Sequence, residues 1–314
     1  MIFQLDDLFI SADDFEVHKE RQLGEGAWAA AYIARRLSDN KQFVAKIYKT
    51  FGKNDQKLIM RAALANQILE HPAILKFYGI SFHSLEDPDV FEPTIILEYM
   101  PNGTLRDILE KERNGLANEN WSTTKKYIIL LGIAHAMKYM NEKGIIHRDI
   151  KPENILLDAN YYPQISGFTL CRIFPHPLKK SMEMEMSTGI GTPLYMAPEI
   201  LKNDNDEYGI AVDVYSFSIL AYELVTGNAP YDDTKSFIRL FTDVLKGLRP
   251  TFSDDVTQPM KDLISRCWNE DPDERPSFDE IYDLLANDYN SFFHYDLDED
   301  EIQEYIDTLN QQQQ

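Results

Sequence analysis

At 314 residues, with 44% hydrophobic and 26% charged side chains, the chain is long enough to bury one large core or two modest ones beneath a solvated surface. Its formal net charge of −21 works against nucleic acid or an anionic membrane as partner, because both demand a basic footprint. Cys171 and Cys267 are the only cysteines, so neither a disulfide framework nor a four-ligand zinc site is expected. Met1 to Ile10 lacks the basic start and apolar stretch of a secretory signal, and no segment approaches the roughly 20 apolar residues that span a bilayer, so a reducing cytosol is the expected compartment.

Phe15 to Tyr48 carries β-type segments broken by Gly24-Glu25-Gly26. The spacing of Leu58, Ala62, Ala65 and Leu69 predicts a helix over Gln56 to Leu69. A strand pair through Ile74 to Phe82 and Thr94 to Tyr99 follows, before Pro101-Asn102-Gly103 breaks the chain. Helices are then predicted over Leu105 to Glu112, Thr123 to Lys143, Ala211 to Thr226, Thr234 to Lys246, Thr257 to Trp268 and Phe278 to Ala286. The longest apolar stretch, Tyr127 to Met140, is interrupted by Gly132, His135 and Lys138 and fits a buried helix. Within Leu297 to Leu309, one side of a short helix presents Ile302, Tyr305, Ile306 and Leu309 for packing on the body, and Gln311 to Gln314 is expected to be disordered. From Asp279 onward there are eleven acidic residues and no Lys or Arg, which solvates a tail or docks a basic partner. The expected fold class is α+β and bilobal: an arm over 1–14, a β-rich N-lobe over 15–100, a helical C-lobe over 101–287 and an acidic tail over 288–314.

Several motifs carry chemistry. His147-Arg148-Asp149-Ile150-Lys151-Pro152-Glu153-Asn154 places Asp149 five residues before Asn154. Gly24-Glu25-Gly26-Ala27-Trp28-Ala29 precedes Lys46 in Phe43-Val44-Ala45-Lys46. Gly191-Thr192-Pro193-Leu194-Tyr195-Met196-Ala197-Pro198-Glu199 and Asp213-Val214-Tyr215-Ser216-Phe217 follow, then Cys267-Trp268, Asp271-Pro272 and Arg275-Pro276-Ser277-Phe278. Over roughly Phe15 to Ala286 the chain resembles a eukaryotic protein kinase of the serine/threonine type, and the last string resembles the tyrosine-kinase-like group.

The resemblance implies a set of roles. Gly24 and Gly26 belong to a phosphate-cradling loop, whose lack of Cβ lets backbone N–H groups approach the nucleotide; its third glycine is replaced by Ala29. Lys46 contacts the α- and β-phosphates of ATP. Ala31 and Val44 roof the purine with the two family side chains exchanged, at roughly unchanged volume, and Leu156 closes it below. Glu98 to Met100 form the hinge that reads the purine edge, and Leu97 either guards the back pocket or simply fills core. Asp149 is the base, Lys151 its companion and Asn154 a metal ligand. Glu199 with Arg275, and Asp213 at a helix start, are structural braces. Thr192 lines the substrate site, Ser181, Ser187 and Thr188 are phosphosite candidates that Arg148 could receive, and the alternation of Met182, Met184 and Met186 with Glu183 and Glu185 is that of a loop.

Two departures from the family pattern matter more than these matches. Where the family has Asp-Phe-Gly to grip Mg²⁺, this chain has Gly167-Phe168-Thr169; the carboxylate is missing and a β-branched residue replaces the hinge glycine. The helix glutamate that should pair with the lysine falls at Ala62, and Asn66, one turn on, replaces an apolar residue. Losing both acids around Lys46 should weaken Mg²⁺ dependence while leaving the site able to take a metal-free nucleotide. Three functions stay open: a pseudokinase that binds ATP and acts on a protein partner, an active serine/threonine kinase that phosphorylates a protein substrate with Glu153 or a neighbouring acid partly serving the metal, and an interaction module with an empty pocket.

Overall fold

The computed structural model describes residues 8–26, 28–49, 53–87, 89–174, 193–202, 209–231, 236–294 and 297–311. The chain divides into two compact units, one made of Met1–Glu70, Ile74–Pro101 and Phe168–Cys171, the other of His71–Ala73, Asn102–Gly167 and Arg172–Gln314.

The first unit is a five-stranded antiparallel sheet with one helix. Strands β1 (Phe15–Glu25), β2 (Ala29–Arg36) and β3 (Gln42–Tyr48) precede α1 (Lys53–Ile68), and β4 (Phe77–His83) and β5 (Phe91–Glu98) complete a sheet of order β1-β2-β3-β5-β4. Its core gathers Phe15, Ala34, Phe43, Ala45 and Ile96. Phe43 meets Phe15 edge-on at 5.5 Å and Tyr78 at 4.7 Å, the geometry ring quadrupoles favour. Strand β1 runs through Gly24 and Glu25, which still pair with Ala31 and Ala30, so the expected break falls at Gly26. Strand β4 starts at Phe77, not Ile74, because Ile74, buried like Leu75, makes only an isolated bridge and the ladder does not continue through Leu75 and Lys76. Helix α1 buries Ile59, Ala62, Ala63, Ala65 and Asn66, one face at helical spacing.

The second unit is mostly helical. It comprises α2 (Leu105–Arg113), α3 (Thr123–Glu142), the short strands β6 (Ile145–Ile146), β7 (Ile155–Leu157), β8 (Pro163–Ile165) and β9 (Arg172–Ile173), then α4 (Pro198–Lys202), α5 (Ala211–Thr226), α6 (Phe237–Val244), α7 (Gln258–Cys267), α8 (Phe278–Asn287), α9 (Tyr289–Phe292) and α10 (Glu299–Gln311). The helix starts are written locally: Thr104 with Asp107 and Ser277 with Glu280 form reciprocal caps, and Ser122 and Thr257 accept from the first turns of α3 and α7. Helix α5 ends at Gly227, which takes the left-handed conformation with φ +70. Apolar almost all round, α3 and α5 are the buried axes of the unit. Helix α10 lays Ile302, Tyr305, Ile306 and Leu309 inward, and Tyr305 reaches α3 at Gly132, where a Cβ would collide with its hydroxyl. Together these elements give the α+β arrangement that the motifs imply. No helix among the described residues is long and apolar enough to cross a membrane.

Candidate nucleotide and catalytic site

In the first unit, the β1–β2 hairpin closes with Gly26 N–H donating to the Ala29 carbonyl at 2.8 Å. A Cβ on Gly24 would meet nothing within 4 Å, and one on Gly26 only the Ala29 carbonyl at 3.8 Å, so these glycines leave open space that no neighbour among the described residues requires. Lys49 holds the hairpin through an ion pair with Glu25. Ala31 on β2 stands directly opposite Lys46 on β3, and Val44 pairs with Ile33 and Leu97. The Lys46 ammonium lies 5.6 Å above the ring of Tyr48, and among the described residues no carboxylate is within ion-pair distance of it. Glu98 ends β5 with its N–H bonded to Lys76 O at 3.0 Å, and Met100 follows half-buried.

Ala62 is buried on α1, and Asn66 satisfies its buried amide within its own helix, donating to Ala62 O at 2.7 Å. The turn Phe168–Leu170 packs against α1 with all three side chains buried. Its Thr169 hydroxyl is 3.3 Å from the Tyr48 hydroxyl, a pairing that a glycine could not make.

In the second unit, the loop before β7 is braced from α5. The Asp213 carboxylate accepts the N–H groups of His147 and Arg148, each at 2.7 Å, which lets Arg148 hold a φ of +69. Burial pushes Asp213 up to about 6, against the pull of these two donors. The His147 ring donates Nε2–H to Ser166 O at 2.8 Å, because a carbonyl only accepts, and its Nδ1 accepts the Asp149 N–H at 3.2 Å. These bonds set the direction of the Asp149 side chain. Lys151 Nζ is 2.9 Å from Asp149 Oδ1, and Asn154 Nδ2 donates to both Asp149 O and Asp149 Oδ2 at 2.7 Å. Asp149, Lys151 and Asn154 therefore come together around one carboxylate. Leu156 lies on β7, half-buried, opposite Gln164.

The metal side of the loop is different. Gly167 has φ +91, and a Cβ there would lie 2.5 Å from Asn154 Cγ and 2.5 Å from Oδ1, so the asparagine amide fills the space a side chain would need. The amide nitrogen faces two acceptors, and no carboxylate stands at 167. The Glu153 carboxylate is held by Arg106 Nε at 2.9 Å. Among the described residues no three His, Cys, Asp or Glu side chains gather as a metal cluster. Position 167 therefore offers an Mg²⁺ no carboxylate.

Some contacts were not foreseen from the residue string. Glu223 is fully buried on α5 and takes Arg106, Arg113 and the Tyr195 hydroxyl. His71 Nε2 and His135 Nδ1 lie 2.7 Å apart in the core of the second unit. A signal for Glu223 existed: a carboxylate inside the apolar run Leu220 to Leu224 demands cationic partners. The Glu199–Arg275 pair forms bidentately at 2.6 and 2.9 Å. Ser181, Ser187, Thr188, Thr192, the methionine-rich stretch 182–186, Ala27 and the residues after Gln311 lie outside the described residues.

The comparisons with known proteins agree with this geometry. The family model described as "Protein kinase domain" matches residues 17–285. The chain is 37% identical over 231 residues to the Dictyostelium discoideum "Probable serine/threonine-protein kinase drkC", covering 73% of this chain and 29% of that protein. It is 30% identical over 277 residues to "Dual specificity protein kinase shkB" of the same organism, covering 87% and 40%. It is also 30% identical over 282 residues to "Probable serine/threonine-protein kinase gdt4", again from Dictyostelium discoideum, covering 86% and 16%. The chain thus spans less than half the length of each of these relatives. With a family match over most of its length and a sheet, helices and loop arranged as described, the chain belongs to the protein kinase domain family.

Proposed function

We propose that this chain is a nucleotide-binding kinase domain of the tyrosine-kinase-like group whose phosphoryl transfer is crippled, and that it works as a signalling scaffold or allosteric partner of another protein. One observation carries the reading: the position that should grip Mg²⁺ has no carboxylate, and the Asn154 amide occupies its space. Kinase catalysis consists of positioning and charge neutralisation around the γ-phosphoryl, so this loss costs on the order of 4 kcal/mol, several powers of ten in rate. Nucleotide binding asks for less. Gly24 and Gly26 leave room for phosphate, Lys46 offers a cation with no carboxylate near it among the described residues, and Ala31, Val44 and the Glu98–Met100 backbone would hold the purine from the first unit. In this reading ATP binds with Mg²⁺ weakly held or absent, the divisions 1–14, 15–100, 101–287 and 288–314 are the working segments, and the protein acts in the cytoplasm.

Thermal denaturation tests it. ATP or ADP should raise the melting temperature equally in EDTA and in Mg²⁺, and Lys46→Met should abolish the shift. A shift seen only with Mg²⁺ refutes metal-free binding, and none at all leaves the empty interaction module.

A second reading, an active serine/threonine kinase, is favoured by the Asp149–Lys151 and Asp149–Asn154 contacts and by the names of the relatives. Labelled ATP decides between them: strong transfer to a basic protein, lost in Asp149→Asn, establishes the active enzyme.

A further inference from the structure

The first unit carries an aromatic row that neither the sheet core nor the nucleotide residues use. Phe9 forms a single parallel bridge to Ile80, and Ile10 N–H donates to Ile80 O at 3.0 Å, so residues 9–10 add a short outer edge to β4, the outermost strand. Gly79 permits this, because a Cβ there would collide with the Ile10 side chain. The arm places the Phe9 ring 6.0 Å from Phe82, and Phe82 stacks on Phe91 at 6.1 Å with planes only 5° apart. Phe9 is 46% exposed, Phe91 43% and Val90 46%. Ordered rings held side by side in solvent form the apolar centre of a contact surface.

The surroundings identify what would sit there. Glu86, Asp87, Asp89 and Glu92 border the row, and the cation among them, Lys19, is shared by Glu86 at 2.8 Å and Glu92 at 3.5 Å. The Asp87 carboxylate accepts the backbone N–H of Asp89 at 3.1 Å, and neither aspartate has a cationic partner among the described residues. The rim is therefore negative. A second copy of a chain with net charge −21 would bring like charge against like, and an anionic surface would be repelled in the same way.

We propose that the Phe9–Phe82–Phe91 row is a docking surface for an apolar segment of a partner protein flanked by lysine or arginine. It is independent of the nucleotide site. The test uses the full chain and a fluorescein-labelled heptapeptide alternating lysine with leucine and phenylalanine, read by fluorescence anisotropy beside a counterpart with glutamate in place of lysine. The basic peptide should bind and the acidic one should not. Affinity should fall at least tenfold in Phe9→Ser/Phe91→Ser and in Asp87→Asn/Asp89→Asn, the latter leaving the rings in place, while Asp300→Asn/Glu304→Gln on α10 should bind as the parent does. Equal weakening by the α10 pair would mean general attraction to an acidic protein and overturn the proposal. Undiminished binding by the phenylalanine variant would do the same. Self-association in sedimentation velocity that Phe91→Ser removes would assign the surface to a second copy instead.

Discussion

The amide of Asn154 stands where a side chain on Gly167 would have to begin, with Cγ 2.5 Å from the ideal Cβ position. Asn154 is not free to step aside, because its nitrogen bonds both the backbone and the carboxylate of Asp149 at 2.7 Å. Position 167 also has φ +91, a strained conformation for any residue with a side chain.

Restoring the missing acid is therefore more than a simple exchange. Gly167→Asp should lose about 1–3 kcal/mol of stability and, by itself, leave transfer from labelled ATP at the parent level. Denaturant unfolding and the transfer assay check this together. A variant as stable as the parent and newly active would show that the loop relaxes at no cost.

The Tyr48–Thr169 hydroxyl contact ties the turn after Gly167 to the end of β3. Tyr48→Phe should cost about 1 kcal/mol and speed amide exchange over residues 168–171 while the β1–β2 ladder keeps its protection. Unchanged exchange there would assign the turn's order to the buried Phe168 alone.

The paired histidines set a pH dependence. His71 Nδ1 accepts the Ala73 N–H, so its proton sits on Nε2 and is donated to His135 Nδ1. Burial depresses His71 to about 3, with repulsion from His135 adding to it, and His135 to about 4. His135 also feels Lys138, which Asp279 partners, while the rings of Tyr139 and Tyr282 face the pair. Unfolded histidines titrate near 6.5, so below that pH the unfolded chain binds protons the folded one refuses. Stability should fall on acidification from pH 6.5, by up to about 1.4 kcal/mol per pH unit for each proton. Asp213, raised to about 6, binds its proton earlier when folded and offsets part of the loss. Urea unfolding between pH 7 and 5 should show a shallower slope in His135→Gln than in the parent.

Glu223 is wholly buried between two arginines and a tyrosine. Glu223→Gln should cost about 3 kcal/mol, since Arg113 loses its counter-charge and Arg106 keeps only Glu153, both staying partly desolvated. Arg113→Ala should cost clearly less, and unfolding midpoints of the two variants measure the difference.

Local signals were legible. Caps at Thr104, Ser122, Thr257 and Ser277 sit next to the helices they start, and loop 147–154 is contiguous, so its Asp149–Lys151–Asn154 cluster closes over five residues. Distant pairings were not. Tyr48 and Thr169 are 121 residues apart, and His71 and His135 are 64 apart; nothing in residue type marks such partners. Strands β6 and β9 are two residues each, too short for any periodicity to register. Boundaries slipped where an isolated bridge stood short of the strand, as at Ile74, or where a helix began before its apolar rhythm, as α1 does at Lys53. The collision behind Gly167 needed coordinates, because a missing carboxylate does not announce what has moved into its place.

The meeting of Tyr305 with Gly132 bears on where this protein is cut. The family match stops at residue 285, yet the aromatic ring that seals the middle of α3 arrives twenty residues later. A gene trimmed to the matched segment would strip that cover, wetting an apolar seam along the main buried helix, and its product should clump during expression while the longer polypeptide stays in solution.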